Sequence, residues 1–231
     1  MAYPQHPDTI IIQNEFYPNG LKEIDNWEYY QSVKSKLLRE TRFRDLMFFI
    51  MVDKNTPVVL RKKEGLFIRL NPENYNNIIT GRTISIHSTM TNSESFGIID
   101  IDTNDFKLAK EAVNDVYYYI KENAKFINDI SIRFTGKSSF HIICKYKRKL
   151  KIDYAKIMLK DILLKSDLIK KYTVEHKRRE SGIPNLDLAS NKDKGGYITL
   201  YSLSVIGLKC MEVPIEKLRN FRKEDAIIKI I

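Results

Sequence analysis

Apolar side chains recur at helical intervals at Trp27, Tyr30, Val33, Leu37 and Leu38, which predicts one amphipathic helix over residues 25–41. A short strand precedes it at residues 9–12. Four β-rich runs follow, at residues 46–52, 57–61, 66–70 and 83–87, with Asp53, Lys54 and Asn55 reading as a turn between the first two. From residue 96 the pattern sharpens. Residues 96–101 form a nearly continuous apolar run, as in a strand buried on both faces. Thr103, Asn104 and Asp105 offer helix N-caps. Phe106, Ala109, Val113, Val116, Tyr117 and Ile120 then mark one face of a helix. Residues 130–134 and 140–146 read as two strands of a hairpin, joined by a turn at 135–139. Tyr154, Ile157, Met158, Ile162 and Leu168 mark another helix, and residues 197–205 a last, long strand.

The second half therefore runs β-α-β-β-α-β, the split βαβ order of ferredoxin-like and RNA-recognition-type modules. In that arrangement the first and third strands are neighbours, so residues 96–101 should lie beside residues 140–146. The connection over residues 170–196 is long, as functional segments often are. No repeat and no Gly/Ser or Pro-rich linker divides the chain. The fold class expected is α/β (α+β), one catalytic-size domain over 1–231. An N-terminal mixed α/β unit would take about residues 1–90, and an RNA-recognition-like unit residues 91–231.

Composition narrows the choice. The apolar fraction of 43% and charged fraction of 29% are globular and exclude a disordered tail. No apolar run reaches the roughly 18 residues of a membrane span. The start lacks the layout of a signal peptide. Two cysteines, Cys144 and Cys210, cannot build a zinc ribbon, so no zinc is expected, and a reducing cytoplasm is the simplest setting. The net charge of +10 suggests a polyanionic partner and a nucleoid-associated location. The charge is uneven: residues 141–180 hold 13 basic and 5 acidic side chains. Lys145, Lys147, Arg148, Lys149 and Lys151 are the densest stretch, with a second cluster at residues 176–179. A strand edge kept soluble by lysines is the plain alternative to a nucleic-acid surface.

Three groups could carry chemistry. Asp100 and Asp102 stand in Ile-Ile-Asp-Ile-Asp, so both carboxylates share one face of a strand, about 6.5–7 Å apart at Cα. Oxygen donors of this kind suit Mg²⁺ or Mn²⁺. A strand end reaching solvent, with Asp102 as a cap, is the competing reading. His141 opens the neighbouring strand, just after Thr135-Gly136-Lys137-Ser138-Ser139, a turn whose amides, hydroxyls and one cation could grip phosphate. Asp187, in Pro-Asn-Leu-Asp-Leu, is a candidate third carboxylate.

The acid-x-acid strand, the small and basic turn ending in His, and the later Asp resemble, in that order, the archaeo-eukaryotic primase superfamily. The likeness is greatest to the polymerase domain of bacterial DNA ligase D and its stand-alone archaeal end-joining relatives. It spans nearly the whole chain. Phe16-Tyr17-Pro18 with Gly20, then Tyr29-Tyr30, resembles that family's opening signature. Asp187, Asn191, Tyr201-Ser202-Leu203, Gly207 and Val213-Pro214 resemble its last.

The resemblance implies a template-directed nucleotidyltransferase using two divalent ions, Mn²⁺ or Mg²⁺, held by Asp100, Asp102 and Asp187. It implies nucleotide contacts from Thr135, Lys137, Ser138, Ser139, His141, Asn191, Lys192 and Ser202. Lys22, Lys145, Lys147, Arg148 and Lys149 would meet nucleic acid. The implied partners are a gapped or broken DNA primer-template, ribo- or deoxyribonucleoside triphosphates, and a separate DNA ligase and Ku, with no membrane. The implied role is gap filling and end extension in non-homologous end joining.

The chain departs from the pattern in places. Ser138 and Ser139 stand where the family has Lys and Gly, and Asp193 and Ser204 where it has Arg. Glu23 replaces a Lys in the opening segment. Arginine makes bidentate phosphate contacts that lysine does not reproduce. The alternatives are a replicative or plasmid-type primase-polymerase and, further off, a non-catalytic nucleic-acid-binding module.

Overall fold

The computed structural model describes residues 9–52, 56–175 and 182–229. The expected turn at Asp53, Lys54 and Asn55 and the basic cluster at residues 176–179 lie outside them. The chain divides into two compact units. The first runs to Thr89 and regains Ile198–Cys210 and the residues from Arg222 onward; the second is Met90–Tyr197 with Met211–Phe221. The sequence pattern alone assigns all of 91–231 to the second.

In the first unit, β1 (Ile10–Asn14) pairs antiparallel with β2 (Tyr17–Lys22). Pattern reading passes over β2 because Pro18 and Gly20 look like breakers. The single predicted helix is two, α1 (Glu23–Ser32) and α2 (Lys34–Glu40). The Val33 backbone leaves helical geometry between them (φ −102°, ψ 5°). Ser32 and Val33 have weak helix preference, which locates the break. β3 (Leu46–Met51) is flanked antiparallel by β4 (Pro57–Leu60) and, later in the chain, by Thr83–Thr89. β5 (Lys62–Lys63) and β6 (Leu66–Phe67) form a short ribbon, followed by α3 (Tyr75–Ile78) and β7 (Thr83–Thr89).

Leu46, Phe48, Ile86, Tyr30 and Tyr75 are fully buried in this unit. Buried phenols find partners: Tyr30 donates to Ile84 O (3.2 Å) and Tyr75 to Tyr30 O (2.6 Å). Tyr29 donates to Tyr201 O at 2.8 Å and Tyr17 to Gly207 O at 2.9 Å.

The second unit is built on β8 (Ser93–Asp102), α4 (Phe106–Asn123), β9 (Ile127–Phe134), β10 (Phe140–Lys151) and α5 (Ile152–Leu164). β11 (Thr173–Val174) and β12 (Asn185–Asp187) follow. The chain then passes through β13 (Gly196–Ile198), and β14 (Met211–Glu212) and α6 (Ile215–Leu218) complete this unit. The sheet order is β11-β12-β8-β10-β9-β14. The first and third strands of the module, β8 and β10, are neighbours, as their order in the sequence requires.

The fourth strand of the β-α-β-β-α-β series is β12, within the long connection, and not residues 197–205. Three residues between Pro184 and Leu188 are too few for a periodic signal. The expected strand at 197–205 is cut short after Ile198. Ser202 N bonds Thr199 O at 2.9 Å in a turn, and Tyr201 adopts a left-handed backbone (φ 69°).

Alternation sorts the sheet into two faces. Leu186, Ile101, Phe140, Phe134 and Met211 are successive cross-strand partners on one face. Phe106 of α4 stacks on Phe140 at 5.7 Å, and Phe134 meets Phe221 edge-on at 5.2 Å. Each such ring pair contributes about 0.5–1.5 kcal/mol beyond area burial. The hairpin that carries His141 is thus anchored from behind by aromatic rings. Asp105 caps α4, accepting from Lys107 N and Leu108 N. Among the described residues no helix is long and apolar enough to cross a membrane.

Candidate active site

The opposite face carries a polar rung across five strands. Asp187 of β12 is the cross-strand partner of Asp100 on β8, and Asp100 of His141 on β10. His141 partners Arg133 on β9, and Arg133 partners Glu212 on β14. Cross-strand partners project to the same side of a sheet, so these five side chains share a face. Asp102, two residues along β8, shares it too, with Asn185 as its partner on β12. Three residues placed far apart in the sequence, Asp100, His141 and Asp187, are therefore laterally adjacent.

His141 is 6% exposed at its side chain and Asp100 31%, and His141 Nε2 lies 3.7 Å from Asp100 Oδ1. Asp102 and Asp187 are half-buried. Asp187 Oδ1 accepts a hydrogen bond from Ala189 N at 2.7 Å, which turns the chain away from β8 directly after the carboxylate.

The turn before His141 is fixed by its own bonds. Thr135 N and Thr135 Oγ1 both donate to Ser139 O, at 3.1 and 2.9 Å. Gly136 has φ 93°, a conformation that side-chain-bearing residues rarely adopt. Ser138 is buried and donates through Oγ to Thr103 O at 2.8 Å, which ties the turn to the segment just after Asp102. Lys137 is exposed and Ser139 half-buried.

Other candidates are engaged inside the fold. Asn191 is fully buried, and its amide bonds Ile98 N, Ile98 O and Leu188 O. Ser202 belongs to the first unit, where its buried hydroxyl accepts from Ile86 N and donates to Leu203 O. Lys192 is exposed in the second unit, and Lys22 is exposed on β2 of the first.

The basic stretch extends β10 further than the sequence pattern suggested. Lys145 partners Phe96 and Leu150 partners Glu94, so the four residues 146–149 stand against the single β8 residue Ser95. This wide bulge pushes Lys147, Arg148 and Lys149 out as exposed side chains. Lys145 is held by Asp129 at 2.8 Å.

Three carboxylates and an imidazole on one face supply oxygen and nitrogen donors of the type that divalent ions take. Among the described residues no three His, Cys, Asp or Glu side chains converge closely enough to enclose a metal ion. The donors match Mg²⁺ or Mn²⁺ in chemical kind and share a face of the sheet, without being drawn into a closed site.

Sequence reasoning missed Arg133 and Asn185. Arg133 is 11% exposed at its side chain, with Nη2 3.9 Å from Glu212 Oε1. Counting back across the 135–139 turn pairs Arg133 with His141, so the hairpin register was the signal. Asn185 accepts from Thr173 Oγ1 at 3.0 Å. Nothing in its local pattern marked it.

No protein-family model matches this chain, and no curated protein matches it by sequence. Among solved structures, it is similar to the polymerase domain of Mycobacterium tuberculosis ligase D in complex with DNA. The TM-score is 0.71 over 94% of this chain and 90% of that one, with 12% sequence identity. The chain has the fold of that polymerase domain.

Proposed function

We propose that this protein is a template-directed nucleotidyltransferase of the primase-polymerase type, which extends primers and fills gaps at DNA breaks. The observation that carries this reading is the rung Asp187–Asp100–His141, with Asp102 beside it, on one face of the sheet. The ligase D polymerase domain, which shares the fold and was solved with DNA, supports it.

Asp100, Asp102 and Asp187 would hold Mg²⁺ or Mn²⁺. Adjacent strands are about 4.8 Å apart and residues i and i+2 about 6.5–7 Å, so the three carboxylates would converge on the ions by side-chain rotation, with the backbone fixed. Divalent ions bound there would lower the pKa of a primer 3′-hydroxyl and offset charge on the departing pyrophosphate. The protein's own part is positioning. The aromatic cluster behind β9 and β10 fixes the hairpin, and Ser138 fixes the turn. His141 and the turn at residues 135–139 would then meet the triphosphate. Arg133, beside His141 on the same face, would supply a guanidinium on a chain that lacks the arginines expected at Asp193 and Ser204.

The test is primer extension on a gapped duplex with Mg²⁺ or Mn²⁺, offering ribo- and deoxyribonucleoside triphosphates, beside Asp100→Ala/Asp102→Ala. Extension that vanishes in the double variant is expected. A wild-type protein that binds the duplex and extends nothing overturns the reading. Synthesis on bare single-stranded template without a primer would make it a primase.

A further inference from the structure

The first unit carries a basic feature of its own. A groove of about 540 Å³ opens between α2 and the segment after β6, lined by Leu38, Arg39, Arg42, Phe43, Arg69 and Leu70 among others. None of its lining residues is acidic. Phe43 is 77% exposed, the most exposed large apolar side chain among the described residues. It is also held at φ 63°, a backbone region unfavourable for a bulky residue. Such strain persists where surrounding structure enforces it, and it clusters at functional sites.

The surroundings do enforce it. Thr41 Oγ1 bonds Leu37 O at 2.8 Å and Arg44 N bonds Thr41 O at 3.0 Å, which closes the turn on either side of Phe43. The Arg42 guanidinium lies 4.8 Å from the Phe43 ring centre. Across the groove, Arg69 Nε is fixed by the buried Asp45 carboxylate at 2.7 Å while its side chain stays 65% exposed. The result is an exposed aromatic ring sharing one groove with three guanidiniums and with the apolar side chains of Leu38 and Leu70.

We infer that this groove binds single-stranded nucleic acid, with one base stacked on Phe43 and the flanking phosphates on Arg39, Arg42 and Arg69. Aromatic stacking combined with a basic track is how proteins hold single strands without reading sequence. A groove of this volume is of a size that accommodates a small-molecule-sized group such as a nucleotide. The inference does not depend on the carboxylate site: it predicts binding whether or not the protein polymerises.

The experiment is fluorescence anisotropy on the full chain with labelled 20-mers of oligothymidylate and oligouridylate, titrated across salt. Phe43→Ala should weaken both about ten-fold, while Phe43→Tyr retains affinity. Arg39→Gln/Arg42→Gln should lower the slope of log affinity against log salt by about 0.7 for each phosphate that is no longer neutralised. Phe43→Asn, which tolerates the left-handed backbone, should lose binding as Phe43→Ala does while melting no lower than wild type, separating stacking from folding. Loss for either oligomer supports the inference. Unchanged affinity and slope in the Phe43→Ala and double-arginine variants overturn the inference. So would an equal loss of affinity for a polyglutamate peptide, which would make the groove a protein-docking surface.

Discussion

The side-chain amide of Asn191 grips the backbone of Ile98 at both ends: Nδ2 donates to Ile98 O at 2.6 Å and Oδ1 accepts from Ile98 N at 2.8 Å. It acts as a missing strand partner. β12 pairs with β8 only over Asp100 to Asp102, and the chain turns away after Asp187. Asn191 then takes up the ladder two residues further along β8, at Ile98, and fixes the loop that carries Asp187.

Asn191→Leu should therefore act first on stability. It leaves the buried N–H and C=O of Ile98 without their partner, at about 1–3 kcal/mol for each group. Urea unfolding should show a decrease of about 2–6 kcal/mol. A variant as stable as wild type, with weakened nucleotide binding, would return Asn191 to the role of a direct substrate contact.

Gly97 sits where β8 meets α5. A methyl group there would collide with Tyr146 Oη and lie 2.7 Å from Leu159 Cδ1. Both neighbours are buried, so neither can swing into solvent. Gly97→Ala should destabilise the protein by about 1–3 kcal/mol, the usual cost of overpacking. Adding Leu159→Ala should not restore the full stability, because the tyrosine clash remains. Denaturant midpoints of the two variants decide it.

The bulge at residues 146–149 gives the basic stretch a definite shape. Lys147, Arg148 and Lys149 project from it, whereas Lys145 is paired with Asp129. Changing the first three to Gln should weaken duplex binding and lower its salt slope by about 0.9 per phosphate left without its cation. Lys145→Gln should do much less. An unaltered slope in the triple variant would make the stretch a soluble strand edge and no more.

The β-α-β-β part of the second unit was legible because long apolar runs and helical spacing dominate it. So was the adjacency of the strands that carry Asp100 and His141, which follows from that order, while the register that makes the two residues direct partners came only with the structure. The helix α5 was legible as a helix but not in its face. Tyr154 and Ile157 of the expected stripe are exposed, Leu168 lies beyond the helix, and Ile152, Ala155, Leu159 and Leu163 are the residues it buries. β12 was not legible. It has only Asn185, Leu186 and Asp187, and its pairing with β8 comes from tertiary contact. The break at Val33 was hidden because the apolar spacing from Trp27 to Leu38 runs through it. The opening and closing signatures were visible as residues, but their work was not. Tyr17, Tyr29 and Tyr30 bond the backbone at Gly207, Tyr201 and Leu203, tying the two ends of the first unit together. Long-range hydrogen bonds of this kind leave no local pattern. Arg133 was concealed by an unremarkable strand, and only the hairpin register exposes it.

Acid should unfold the protein partly through His87. Burial lowers its imidazole from the ordinary 6.5 to about 4, and the ring packs against Phe49 at 4.8 Å. The folded value lies below the unfolded one, so between pH 6.5 and 4 the unfolded chain binds a proton that the folded chain refuses. Stability therefore falls as pH drops through that window and is unaffected by this group above it. The full shift corresponds to at most about 3 kcal/mol. His87→Gln removes the titration, so its urea midpoint should decline less between pH 6.5 and 4 than that of wild type. If both proteins lose stability in parallel over that range, the acid sensitivity resides elsewhere, and His87 takes up its proton equally in the folded and unfolded chain.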